Sequence, residues 1–97
     1  MIAYLIVAVA YDHVPYRAFR TRDLLDRLPS VDRRESAFIT INLRRCVKKG
    51  WFTGTKEKGR WVWKLTKPGR VMGQWALTHA LDFDPDVKNY INYERNQ

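Results

Sequence analysis

Leu43-Arg44-Arg45-Cys46-Val47-Lys48-Lys49-Gly50-Trp51-Phe52 is the stretch on which the fold turns. Up to Gly50 the apolar residues recur at helical spacing, and Ile39, Leu43, Cys46 and Val47 form one stripe that has to face a core. Asp32 with Glu35 three residues later approximates a capping box, Asp replacing the usual Ser or Thr. Gly50 suits the left-handed position just past a helix end, and Trp51 after it can fold back onto Cys46. A helix from Asp32 to Lys49 therefore has a start, a face and a stop that agree. Past Gly50 the period falls from about four to two. Trp51-Phe52-Thr53 opens a strand, Lys56-Glu57-Lys58-Gly59 makes a charged turn, and Arg60-Trp61-Val62-Trp63-Lys64-Leu65-Thr66 returns. Trp61, Trp63 and Leu65 share one face of the return strand, and Arg60, Val62 and Lys64 the other.

Working outward, the run Ile2 to Tyr11 is apolar on all sides. Its alanines and leucine allow a helix, Ile6, Val7 and Val9 also permit a strand, and the reading adopted is a buried helix. No basic residue precedes the run, and it is about half the length that a membrane span requires, so it reads as a core element and not as an export signal or an anchor. Tyr16 to Arg20 suits a short extended segment. Thr21 then reads as the N-cap of a helix through Leu28, ended by Pro29. Helical spacing resumes at Gly69 through Met72, Trp75, Ala76 and Ala80. A last helix starts at Asp84-Pro85, with Asp as N-cap and Pro at the first helical position, to be docked by Val87, Tyr90 and Ile91.

The 97 residues, 45% of them hydrophobic, suit one small globular domain. A single cysteine, Cys46, excludes an internal disulfide and fits a reducing, cytoplasmic setting. The net charge is +8, and its placement is uneven. Between Tyr16 and Arg70 there are 16 basic and 5 acidic residues, a net +11, whereas the other 42 residues carry −3. Such a concentration reads as a binding face for a polyanion, with a merely solvated cationic surface as the plain alternative.

Leu43 to Phe52, followed by Trp63-Lys64-Leu65-Thr66-Lys67-Pro68-Gly69, resembles the L-x-x-L-x-x-x-G-h…Y-x-L-T-x-x-G signature of winged helix-turn-helix regulators, where h is apolar. Cys46 and Trp63 stand where Leu and Tyr are usual. The resemblance implies an α+β, mostly α fold: a three-helix core, a two-stranded β-hairpin wing and C-terminal helices. The domain would span 1–81, with 82–97 a tail or short helix packing on it. It implies that the helix 32–49 enters the major groove while the wing, 53–64, grips the backbone.

Carried onto this chain, the resemblance makes Arg33, Arg34, Ala37, Thr40, Ile41, Arg44, Arg45 and Lys48 the candidate recognition-helix contacts. Arg34 and Arg44, then Arg45, are the candidates for reading guanine, because a planar guanidinium can bond O6 and N7 together. Arg33, Thr40 and Lys49 lie toward the edges, where phosphate is the expected partner. Lys56, Lys58 and Arg60 are the wing contacts, and Arg22 is expected to hold a further phosphate beside the second helix. Phe38 is expected to tuck against the first helix. Met72, Trp75 and Ala76 offer a surface for a homodimer or close the core.

The remaining chemistry is sparse. His13 and His79 lack a partner pattern, Asp82, Asp84 and Asp86 lack the Gly and terminal Glu of a calcium loop, and Cys46 sits on the core stripe. The expectation is a binding protein with no catalytic residues, no metal and no cofactor. Its partner is duplex DNA, with a protein partner or RNA and single strands as the alternatives that Ile41, Phe38 and Trp61 keep open.

Overall fold

A helix with no polar stripe has to be covered on every side, and the amino-terminal run is such a helix. The computed structural model describes residues 2–28, 36–80 and 84–95. In it the run forms α1, Ile2–His13, two residues longer than expected. Leu5, Ile6, Val7, Ala8, Val9 and Ala10 have no exposed surface. Fully burying a Val, Leu or Ile contributes about 1.5–3 kcal/mol, so α1 is a major source of hydrophobic stabilisation. The short α2, Thr21–Leu25, and α3, Ser36–Lys48, pack beside it, followed by strands β1, Phe52–Glu57, and β2, Arg60–Leu65, and then by α4, Lys67–Thr78, and α5, Pro85–Arg95. The result is a mostly helical α+β architecture with one antiparallel hairpin.

Small residues let α4 lie close on α1. Gly69, Gly73 and Ala76 are buried at helical spacing. A Cβ placed on Gly73 would come within 2.4 Å of the Tyr11 Cβ and 2.8 Å of the Val7 carbonyl oxygen. Of the residues expected to face a homodimer partner or to close the core, Ala76 is fully buried and Met72 half-buried against the core, because the small-residue face of α4 is used to approach α1. Trp75 remains 37% exposed. The helix also begins at Lys67, not Gly69, because the Thr66 hydroxyl accepts the Gly69 N–H at 3.0 Å as N-cap.

The end of α3 follows the sequence reading. Gly50 has φ +83°, its N–H reaches the Val47 carbonyl at 2.9 Å, and the Trp51 N–H reaches Cys46 at 3.0 Å. This pair of bonds is the Schellman motif. The expected start at Asp32 and the Asp32–Glu35 capping box lie outside the described residues, as does the stop at Pro29. In α2 the cap is Arg20, not Thr21. The Asp23 carboxylate accepts the Arg20 N–H at 2.8 Å, and the Thr21 hydroxyl is turned inward to accept the indole N–H of Trp63 at 3.0 Å. Regular helix ends at Leu25, short of the expected Leu28, with Leu28 itself buried.

The hairpin pairs Phe52 with Leu65 through to Glu57 with Arg60. Its turn is therefore the two residues Lys58 and Gly59, tighter than the expected four. Both have positive φ, 53° and 79°, as a type I′ turn requires. Phe19 adds a third edge through two 2.8 Å backbone bonds with Trp63, within the stretch expected to be extended. In α5, Asp84 caps the amides of Asp86 and Val87, and Val87 and Tyr90 are buried as expected.

Gly73→Ala is expected to destabilise the fold by about 1–3 kcal/mol, since the new methyl meets backbone oxygen and a Cβ, neither of which can swing away. Urea denaturation checks this against Gln74→Ala on the exposed side of α4, expected to stay within about 0.5 kcal/mol of the parent.

Candidate nucleic-acid interface

The outer face of α3 is set by what its inner face must bury. Ile39, Leu43 and Cys46 are fully buried, joined by Asn42, whose amide donates to the Phe38 carbonyl at 2.9 Å. Residues at the complementary positions face out, so Ala37, Ile41, Arg44, Arg45 and Lys48 are exposed. Ile41, Arg44, Arg45 and Lys48 line one shallow depression. Phe38 is also exposed, at 43%, which corrects its expected place against α1: the inward positions at that level belong to Ile39 and Asn42. Arg33 and Arg34 lie outside the described residues.

Two expected edge contacts are differently employed. Thr40 is half-buried with its hydroxyl 3.3 Å from that of Thr21, and the Lys49 ammonium sits 5.5 Å over the Trp51 ring.

Trp61 joins α3 to the hairpin. It stacks on the buried Trp63 with centroids 4.9 Å apart and rings 12° from parallel. The Arg44 guanidinium lies 5.6 Å and the Lys56 ammonium 5.4 Å from its ring centroid. Attraction to the indole quadrupole holds both cations, and a guanidinium stacked this way keeps its N–H edge free to donate. Lys56, Lys58 and Arg60 are exposed around the hairpin tip. The sequence reading left Trp61 between core and surface; the ring is half-buried and forms the junction of two cationic elements.

Trp61 also lines a groove of about 460 Å³, together with Arg20, Thr21, Arg22, Thr40 and Arg60 among others. Arg22 and Arg60 thus line one concavity. Arg20 is a site residue that sequence reasoning missed, because a lone Arg before a short helix carries no periodic or motif signal.

A second cluster also escaped the sequence reading. The Tyr90 hydroxyl donates to the Asp12 carboxylate at 2.6 Å and lies 2.7 Å from His13 Nε2, which is itself 3.4 Å from a Glu94 oxygen. One hydroxyl hydrogen cannot serve both neighbours, so His13 Nε2–H is the donor to Tyr90. Burial, and then the hydrogen bond to Asp12, push the Tyr90 phenol well above its usual range. The partners are 77 and 78 residues apart in sequence, and α5 docks through them onto the end of α1. Among the described residues, no group of three His, Cys, Asp or Glu side chains is placed to hold a metal ion. Among the described residues, no helix is long and apolar enough to cross a membrane.

No family model, no curated protein and no solved structure matches the chain.

Burial pushes the Cys46 thiol up to about 11, with Lys49 opposing it weakly. Its folded value lies above the unfolded one, so this contribution to stability is complete below about pH 8.5 and is lost as pH climbs through 11. A disulfide reagent at pH 8 is expected to label Cys46 slowly in the native protein and rapidly in urea. Stability should also fall less between pH 9 and 11 in Cys46→Ala than in the parent; equal slopes would contradict the assigned burial.

Proposed function

We propose that the protein is a winged-helix DNA-binding protein, a small transcriptional regulator that reads duplex DNA with α3 and grips the backbone with the β1–β2 hairpin. The observation that carries this reading is the continuity of the cationic face: Arg44, Arg45 and Lys48 on α3 run through Trp61 into Lys56, Lys58 and Arg60 on the hairpin. The element order, with a short extended segment bridged to the hairpin at Phe19, supports the winged-helix arrangement. Arg44 and Arg45 act on base edges, and Ile41, 49% exposed between them and Ala37, meets a thymine methyl. Lys48, Arg22 and the three wing cations hold phosphates. The protein binds and does no covalent chemistry of its own. Two copies on paired half-sites give the specificity that one short helix lacks.

A second reading, a module that engages a protein partner, is favoured by one observation: Phe38 and Ile41 are both exposed on this face. Anisotropy of labelled random duplex DNA at several salt concentrations separates the two. With about five to eight phosphates neutralised, log affinity should fall with log salt at a slope of about −5 to −7. No binding at low salt overturns the DNA reading and leaves the protein-partner one.

Within the DNA reading, Arg44→Ala should lower preference for a selected site over random duplex by about tenfold. Lys58→Asn should weaken binding to every duplex alike and reduce the salt slope by about 1. Asn is the replacement of choice because it tolerates the left-handed backbone at this position. Equal losses on selected and random duplex for both variants would contradict the division of labour.

A further inference from the structure

Continuous duplex backbone can be held by cations standing on convex helix and hairpin surfaces. The groove between α2, α3 and the hairpin tip is different, since it is concave and three exposed arginines, Arg20, Arg22 and Arg60, line it together. None of the three forms an ion pair with a described residue. The nearby carboxylate of Asp23 is engaged by the Arg20 backbone N–H, and no carboxylate lines the groove among the described residues. Three like charges brought into one concavity repel one another, and a bound anion lowers that cost.

The rest of the lining narrows the class of anion. Thr21 and Thr40 also line it, with their hydroxyls 3.3 Å apart and that of Thr21 fixed by the Trp63 indole N–H. Leu25 supplies an apolar patch and Trp61 an aromatic wall, held by its stack on Trp63. The volume of about 460 Å³ exceeds what a bare phosphate needs and lies within the range of small-molecule sites. Guanidinium forks and hydroxyls suit the terminal oxygens of a phosphomonoester, a near-dianion at neutral pH, better than the single negative charge of an internal phosphodiester.

We propose that this groove is a binding site for a nucleotide phosphomonoester, with Arg20, Arg22 and Arg60 holding the phosphate and Leu25 and Trp61 flanking the sugar and base. The group comes either from the phosphorylated end of a bound strand or from a free mononucleotide. The proposal extends the nucleic-acid reading above and rests on it for the strand-end source alone.

Two measurements on the full chain at fixed salt test it. Calorimetry with thymidine 5′-monophosphate and with thymidine asks whether the phosphate is recognised on its own. Anisotropy with one internally labelled DNA hairpin, made with and without a 5′-phosphate, asks whether a strand end is recognised. The expected result is binding of the monophosphate but not the nucleoside, or about tenfold tighter binding of the phosphorylated hairpin, or both. The first alone identifies a free nucleotide as the ligand, and the second alone a strand end. Arg20→Gln and Arg60→Gln should erase the effect, whereas Lys88→Gln, an equal charge change on exposed α5, should preserve it. Monophosphate binding without any hairpin binding would overturn the DNA reading and leave the groove assigned. No response to phosphate in either measurement, or equal loss in Lys88→Gln, overturns the proposal.

Discussion

The hydroxyl of Thr66 ties the two halves of the molecule together. It donates to the Gly50 carbonyl just past the end of α3 and accepts the Gly69 N–H in the first turn of α4. The Thr66 backbone N–H reaches the Trp51 carbonyl at 3.0 Å, so the end of the hairpin is bonded to its beginning. Gly69 has to be glycine for this closure, because a Cβ there would lie 1.9 Å from the Trp51 carbonyl oxygen. Through these bonds the direction of α3, the exit of the hairpin and the entry of α4 become one geometric unit. The Gly50, Thr66 and Gly69 positions of the motif are thus three parts of one contact.

That unit decides where the cationic face can form. With α3 stopped at Gly50 and the hairpin leaving at once, β1 packs on α3 while β2 runs back along β1 and packs on α2 and α4, and Trp63 enters the core. Trp63 is then fully buried, yet its indole N–H finds Thr21 on α2, so no polar group is stranded. Trp61, two residues earlier on the same face, is carried out to the rim, where it gathers Arg44 and Lys56. A buried tryptophan therefore positions an exposed one, and the exposed one aligns the charges. Gly54 across the hairpin keeps room for this arrangement, since a Cβ there would meet the Trp63 ring at 2.6 Å.

Elements whose signals are local were legible in the sequence. The stop of α3 needs only Gly50 and its neighbours, and the cap of α5 only Asp84 and Pro85, so both follow from short-range chemistry. The two-residue turn was misread because four charged or glycine residues hid which pair takes positive φ. Thr21 looked like a cap because its type suits one, but an indole donor 42 residues away competes for the same hydroxyl and takes it. The candidate face was legible on α3 from periodicity, and less so at its edges. Thr40 and Lys49 have neighbours, Thr21 and Trp51, that no helical wheel includes.

By itself, then, the sequence determined which segments are helix or hairpin, which stripe of α3 is buried and where the positive charge is concentrated, because each depends on residues within a few positions of one another. The tertiary structure alone decided that Arg20, Arg22 and Arg60 share one groove, that Trp61 links α3 to the hairpin, and that Tyr90 closes α5 onto Asp12 and His13. Each of these joins residues tens of positions apart. Their proximity is fixed by how whole elements pack, and no local pattern along the chain records that packing.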